Sequence, residues 1–289
     1  RLREPRDELW EAGAAVLGLG GPRDGAKLAD HARAWLVKGF FLVFMLAILP
    51  GAVVGATSQP WDQLMGDPAR LALWAIALMF TFDVCFGTVG YFCAVRALGT
   101  QIRTANPYLT GWVAAMICYP PFVLMGAGGP INYTAATRGW THWMAGDEPL
   151  ILVWGVLLTA LAGAYAWSTV IFGLRFSNLT HRGIITNGPY RWFRHPAYLS
   201  KNLFWWLSTL PFLVTDGGPA QAARNCGLLL VVNAVYWWRG RTEERHLLAD
   251  PVYRDYRAWT EAHGLIPRAR RALLGALPGR LRPAAPERF

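Results

Sequence analysis

The chain has 289 residues, 54% of them hydrophobic and only 16% charged, and its 28 basic against 18 acidic side chains give a net charge of +10. Soluble domains carry about 25% charged residues, so this composition excludes an ordinary soluble globular domain and points to an all-α integral membrane protein. The basic residues are spread over separate loops rather than gathered in one patch, which argues against nucleic acid as a partner and for arginine-rich connections on one side of a bilayer.

In chain order, residues 1–34 are polar, mixed in charge and without a signal-peptide pattern, and form an expected N-terminal segment. A spanning helix needs about 20 mostly apolar residues. Six stretches are candidates: 35–56, 71–95, 108–125, 150–174, 198–214 and 222–238. The third contains Pro120-Pro121, which must kink or end it. Arginines alternate with the connections. Segments 58–70 and 127–148 hold one each (Arg70, Arg138) and 215–221 none, whereas Arg96 and Arg103, then Arg175, Arg182, Arg191 and Arg194, then eleven arginines after residue 238 fall on the other side. This predicts six transmembrane helices with both termini cytoplasmic and a cytoplasmic C-terminal helical extension, consistent with a bacterial inner membrane. Asp250-Pro251 predicts a turn into a short helix near 253–262, and residues 265–289 read as a loosely ordered basic tail. The expected division is 35–149 for three accessory helices and 150–264 for the core that carries the chemistry.

The four cysteines (Cys85, Cys93, Cys118, Cys226) form no short pair, the six histidines show no zinc spacing, and Gly126 to Gly129 lacks a phosphate-loop lysine, so no metal site is expected. Asp83 lies mid-span, either functional, or protonated or paired with a polar group inside the bundle. The densest chemistry is GPYRWFRHPAY, Gly188 to Tyr198, coupled to Arg241-Thr242-Glu243-Glu244 after the sixth apolar stretch. Neighbouring antiparallel helices bring Arg194, His195 and Tyr198 toward the two glutamates. Carboxylates accept from ammonium or ribose hydroxyls, His and Arg donate to a carboxylate, and tyrosines flank a purine. Basic-aromatic punctuation of a membrane interface explains the same residue types equally well.

The order and spacing of these residues resemble the isoprenylcysteine carboxyl methyltransferases and their bacterial relatives, which include phospholipid methyltransferases. The shared pattern is Gly188-Pro189-Tyr190, Arg194-His195-Pro196-Ala197-Tyr198, a hydrophobic span, Glu243-Glu244, then Tyr253 and Tyr256. The resemblance implies S-adenosyl-L-methionine as cofactor and a lipophilic or small membrane-permeant acceptor reaching the site from the membrane lipids. It also implies a wall formed by Arg182, Gly183, Ile184 and Ile185, with Tyr190, Arg194, His195, Pro196, Ala197, Tyr198, Glu243 and Glu244 around the cofactor and Arg241 aligning the acceptor. Asn178 and His181 stand beside that wall. Where some members carry a glycine two residues beyond the motif tyrosine, this chain has Ser200 followed by Lys201. The alternatives are a membrane oxidoreductase resembling the sterol reductases, and a non-enzymatic membrane protein with a degenerate pocket.

Overall fold

A computed structural model describes residues 8–19 and 24–276, and 70% of the described residues are helical. The helices are α1 (Glu8–Val16), α2 (Gly25–Thr57), α3 (Trp61–Met65), α4 (Pro68–Phe92), α5 (Leu109–Met116), α6 (Trp140–Trp143), α7 (Glu148–Val170), α8 (Pro196–Thr209), α9 (Gly218–Leu247), α10 (Pro251–His263) and α11 (Leu265–Ala276). Two short strands, β1 (Thr104–Ala105) and β2 (Thr180–His181), pair antiparallel with Thr104 opposite His181.

The helix starts follow from local chemistry. Asp24, Asp67, Asp147 and Asp250 cap α2, α4, α7 and α10, each accepting from backbone N–H groups of the first turn. Proline follows directly in Asp67-Pro68 and Asp250-Pro251, where its missing N–H costs nothing. The turn and helix expected at Asp250-Pro251 are therefore present as α10.

Three helices, α2, α4 and α7, are long and apolar enough to cross a membrane. They turn large apolar side chains such as Leu36, Val43, Leu73, Leu152 and Val153 outward, the arrangement a lipid environment stabilises. This is a membrane protein. These three helices coincide with the first, second and fourth of the six expected stretches. In the third expected stretch only α5 is helical, 8 residues or about 12 Å, because the chain runs into Pro120-Pro121, whose peptide bond is cis. The fifth yields α8, 14 residues or about 21 Å against a hydrocarbon core of about 30 Å. The sixth yields α9, whose 30 residues have the length but not the apolar composition, with Asn225 and Arg239 buried on its inner face. The start of the basic tail is helical rather than loose, as α11; residues 277–289 lie outside the described residues.

The spanning helices pack closely through small residues. A side chain on Gly155 of α7 would stand 2.5 Å from the Ala72 Cβ of α4, so glycine sets that approach. Polar ties then join the helices. Trp74 Nε1 donates to Ala56 O at 2.8 Å, and Trp154 Nε1 donates to Leu207 O at 2.9 Å. Trp206 Nε1 donates to Asn233 Oδ1 at 2.8 Å, and Asn233 Nδ2 donates to Asn202 Oδ1 at 2.8 Å. The β1–β2 ladder fastens the segment after α4 to the segment after α7. It brings both to the same end of the helices as α10.

Candidate active site

The segment between α7 and α8 is shaped by positions that ordinary residues fill badly. Gly188 has φ +55°, and a side chain there would fall 2.1 Å from Ile171 Cδ1, so only glycine fits. The turn it makes sets Tyr190 edge-on to Phe172, with ring centroids 5.3 Å apart, and its hydroxyl donates to Ser168 O at 3.1 Å. Tyr256 of α10 donates to Tyr190 O at 2.7 Å, closing the segment from outside. Burial raises the phenol pKa values of Tyr190, Tyr253 and Tyr256, so all three are neutral donors at neutral pH.

His195 precedes α8, and Pro196 opens it. His195 Nε2 lies 3.0 Å from Glu244 Oε1, and its ring stacks on Tyr198 at 5.5 Å with a 6° interplanar angle. Gly240 permits this approach, since a Cβ there would stand 3.2 Å from His195 Nε2. Glu244 is buried and also meets Arg194 Nη1 and Arg241 Nη1 at 3.5 Å each. Burial alone would raise its pKa, but the His195 hydrogen bond and the surrounding positive charge outweigh that and hold it below the usual carboxylate range.

Glu243 faces the opposite way. Its Oε1 accepts from the Tyr198 hydroxyl and from Arg239 Nε at 3.2 Å. Its Oε2 lies 4.0 Å from His195 Nδ1 and accepts no hydrogen bond among the described residues. Arg239 also donates to Asn178 Oδ1 at 2.6 Å, and its guanidinium sits over Tyr119 and Tyr198, 5.3 Å from each ring centroid.

These groups line one cavity with about 1220 Å³ of free space, part of it open to solvent. Of the expected residues, Arg182, Gly183, Ile184, Ile185, Tyr190, Arg194, His195, Ala197, Tyr198 and Glu243 line it. Pro196 is buried at the start of α8 and Glu244 lies behind His195; neither lines the wall. Two expected residues are placed differently from the others. Arg241 is outside the cavity, with its side chain 53% exposed and stacked over Trp237. Two residues along a helix rotate a side chain by about 200°, so Arg239 and Glu243, four apart, share the inner face and Arg241 does not. Arg182 reaches the wall, but its guanidinium is fully engaged by backbone carbonyls. It donates to Thr100 O (from Nε at 2.8 Å, and from Nη2), Gly90 O at 2.9 Å, Phe176 O at 2.7 Å and Leu174 O at 2.6 Å. It braces the wall instead of facing the cavity contents.

The inner end carries residues that the motif did not indicate: Tyr119, Tyr165, Lys201, Tyr236 and Arg239, with His246 near the rim of the polar part. Asp83 stands behind this wall as the acceptor for the Tyr165 hydroxyl at 3.0 Å and for Thr169, the paired state of the two anticipated for it. His181 Nε2 lies 3.0 Å from Asp250 Oδ2, at an angle outside hydrogen-bond geometry, and burial lowers its pKa. Among the described residues no cluster of ligating side chains suits a metal ion.

Fold and site together define a helical membrane protein with a polar, tyrosine-lined chamber between α7, α8 and α9. Residues 151–249, about a third of the chain, match the Isoprenylcysteine carboxyl methyltransferase (ICMT) family. The matched stretch includes His195, Tyr198 and the twin glutamates but not Tyr253 and Tyr256, and it points to a membrane methyltransferase. Comparison with curated proteins and with solved structures gives no match.

Proposed function

We propose that this protein is an S-adenosylmethionine-dependent methyltransferase of the membrane, acting on a lipophilic or small membrane-permeant acceptor. The observation that carries the reading is the closure of the His195–Tyr198 corner on Glu243–Glu244 across α8 and α9 around one cavity. The donor set fits the cofactor. Glu243 Oε2 is an acceptor without a hydrogen bond, suited to an ammonium or ribose hydroxyl, His195 and Arg194 are donors for a carboxylate, and Tyr190 offers an aromatic ring to a purine. Gly183, Ile184 and Ile185 supply an apolar stretch of wall.

When bound, such a cofactor supplies a methyl group on a positively charged sulfur. The protein's part is alignment and exclusion of water, the two contributions that dominate when no covalent enzyme intermediate is needed. Glu244 holds the imidazole in place rather than touching the cofactor, and Arg239, not Arg241, is the arginine positioned to align an acceptor at the inner face. The alternation of basic connections supports a cytoplasmic mouth for the cavity and, with it, a bacterial inner-membrane setting.

The test is calorimetric titration of S-adenosylmethionine into the purified full chain. Saturable binding is expected, weakened about tenfold in Glu243→Gln by loss of one charge-assisted contact. Absence of saturable binding to the wild-type chain, or unchanged affinity in Glu243→Gln, refutes the reading.

A further inference from the structure

The last described helix carries an apolar stripe that the protein leaves uncovered. Within α11, Leu265, Ile266, Ala269, Ala272 and Leu273 recur at positions i, i+1, i+4, i+7 and i+8, an arc of about 120° on the helix surface. All five are exposed, Leu265 by 42%, Ile266 by 60% and Leu273 by 70%. Pro267 and Leu274, half-buried, mark the opposite side as the one packed on the protein. The apolar face is therefore turned outward, the reverse of a helix that completes a core.

The charges stand beside this stripe. Arg268 and Arg270 each lie about 40° beyond one of its edges. Both are exposed, and among the described residues neither guanidinium has a hydrogen-bond or ion-pair partner. Arg271 donates to Ala262 O, and α11 contains no acidic residue.

The level of the helix relative to the bilayer follows from a separate observation. Leu265 N donates to Trp192 O at 3.1 Å, and the Trp192 ring stands edge-on to that of Trp167, with centroids 6.2 Å apart. Trp167 is in the last turn of the spanning helix α7, and both indoles face outward, 45% and 43% exposed for Trp167 and Trp192. Exposed tryptophans at the end of a spanning helix mark the lipid–water boundary. α11 starts at that boundary.

We propose that α11 is an interfacial helix that binds anionic lipid, with Leu265, Ile266 and Leu273 entering the upper acyl region and Arg268 and Arg270 meeting the headgroup phosphates. An apolar arc flanked by cations is the arrangement that a lipid surface satisfies in full. A nucleic acid would meet the two arginines and leave the arc between them in water. The inference needs the membrane setting alone and stands apart from the methyltransferase reading.

For the test, the full chain is reconstituted at one molecule per nanodisc, in phosphatidylcholine or in a phosphatidylcholine–phosphatidylglycerol mixture, and hydrogen exchange of the α11 amides is followed by mass spectrometry. Exchange should be about 10- to 30-fold slower in the anionic discs, about 5-fold for each of the two arginines. The difference should shrink at high salt. It should vanish in Arg268→Gln/Arg270→Gln and persist in Arg268→Lys/Arg270→Lys, because a phosphate accepts from either cation. Ile266→Gln/Leu273→Gln should speed exchange in both lipids. Equal exchange of the wild type in the two lipids, or a difference that survives Arg268→Gln/Arg270→Gln, overturns the proposal. So does protection in detergent that rises with protein concentration, which would put a second copy of the chain on the stripe, or protection by an oligonucleotide without protection by anionic lipid. The substituted positions are exposed, and the wild-type comparison decides whatever the variants do.

Discussion

Replacing Arg182 tests whether the cavity wall depends on one cation. Its guanidinium uses all five N–H donors on four carbonyls: Gly90 at the end of α4, Thr100 in the loop before β1, and Leu174 and Phe176 after α7. Arg182 is 4% exposed, and burial pushes its pKa down to about 10, which leaves it cationic at neutral pH. Lysine at this position supplies at most three donors from a single point and cannot span four carbonyls. Methionine supplies none and leaves the acceptors buried without partners. At about 1 kcal/mol for each net bond lost, Arg182→Lys should cost about 2–3 kcal/mol and Arg182→Met about 5 kcal/mol. Thermal unfolding in detergent, followed by tryptophan fluorescence, should show a fall in Tm on the order of 10 °C for Arg182→Met and a smaller one for Arg182→Lys. A Tm for Arg182→Met within about 1 °C of wild type would show that these carbonyls find other partners, and the bracing argument would fail.

His246 is buried, lies 2.9 Å from Thr104 Oγ1 and has its pKa lowered from 6.5 to about 4, chiefly by burial and then by the nearby His181 and Arg33. The unfolded chain therefore binds this proton more readily than the native one. Its neutral form is fully compatible with the fold above about pH 6.5, and stability falls as pH drops toward 4, by at most about 3 kcal/mol. His246→Asn should flatten the difference in Tm between pH 7 and pH 4.5; an undiminished pH dependence would rule out His246 as its source. Gly240→Ala places a methyl 3.2 Å from His195 Nε2 and should displace the imidazole by tenths of an ångström. Cofactor affinity should fall several-fold with Tm nearly unchanged, and unaltered binding by titration would show that the imidazole position does not matter.

Much of this was readable in residue order, for identifiable reasons. An unbroken apolar run reports a membrane helix when the chain is also helical throughout it, as in α2, α4 and α7. In the third and fifth stretches a local break shortens the helix. Pro120-Pro121 leaves only α5, and α8 stops at Leu210, which takes a left-handed conformation. Aspartate followed by proline marked the start of α10, and the same pair caps α4, because capping depends on adjacent residues alone. The signature half of the cavity was likewise legible. The paired motifs of α8 and α9 supply His195, Tyr198 and Glu243, and helical antiparallel packing joins them.

Which of Arg239 and Arg241 faces the cavity was also open to sequence reasoning, and the family pattern pointed to the one that faces outward. A pattern records which residues recur in order, whereas a helix of 3.6 residues per turn decides which of them share a face. Arg239 lies four residues before Glu243 and bonds to it at 3.2 Å; Arg241 lies three before the buried Glu244, and its own side chain is 53% exposed. The inner wall is different in kind. Tyr119, Tyr165 and the Asp83 behind them come from three separate segments, and no local spacing announces their meeting. They converge because Gly155 lets α7 lie against α4 and because Asn178, held by the Tyr91 hydroxyl at 2.8 Å, hands Arg239 across to the Tyr119 ring. The motif therefore specifies the polar end of the chamber, while helix packing specifies the aromatic end.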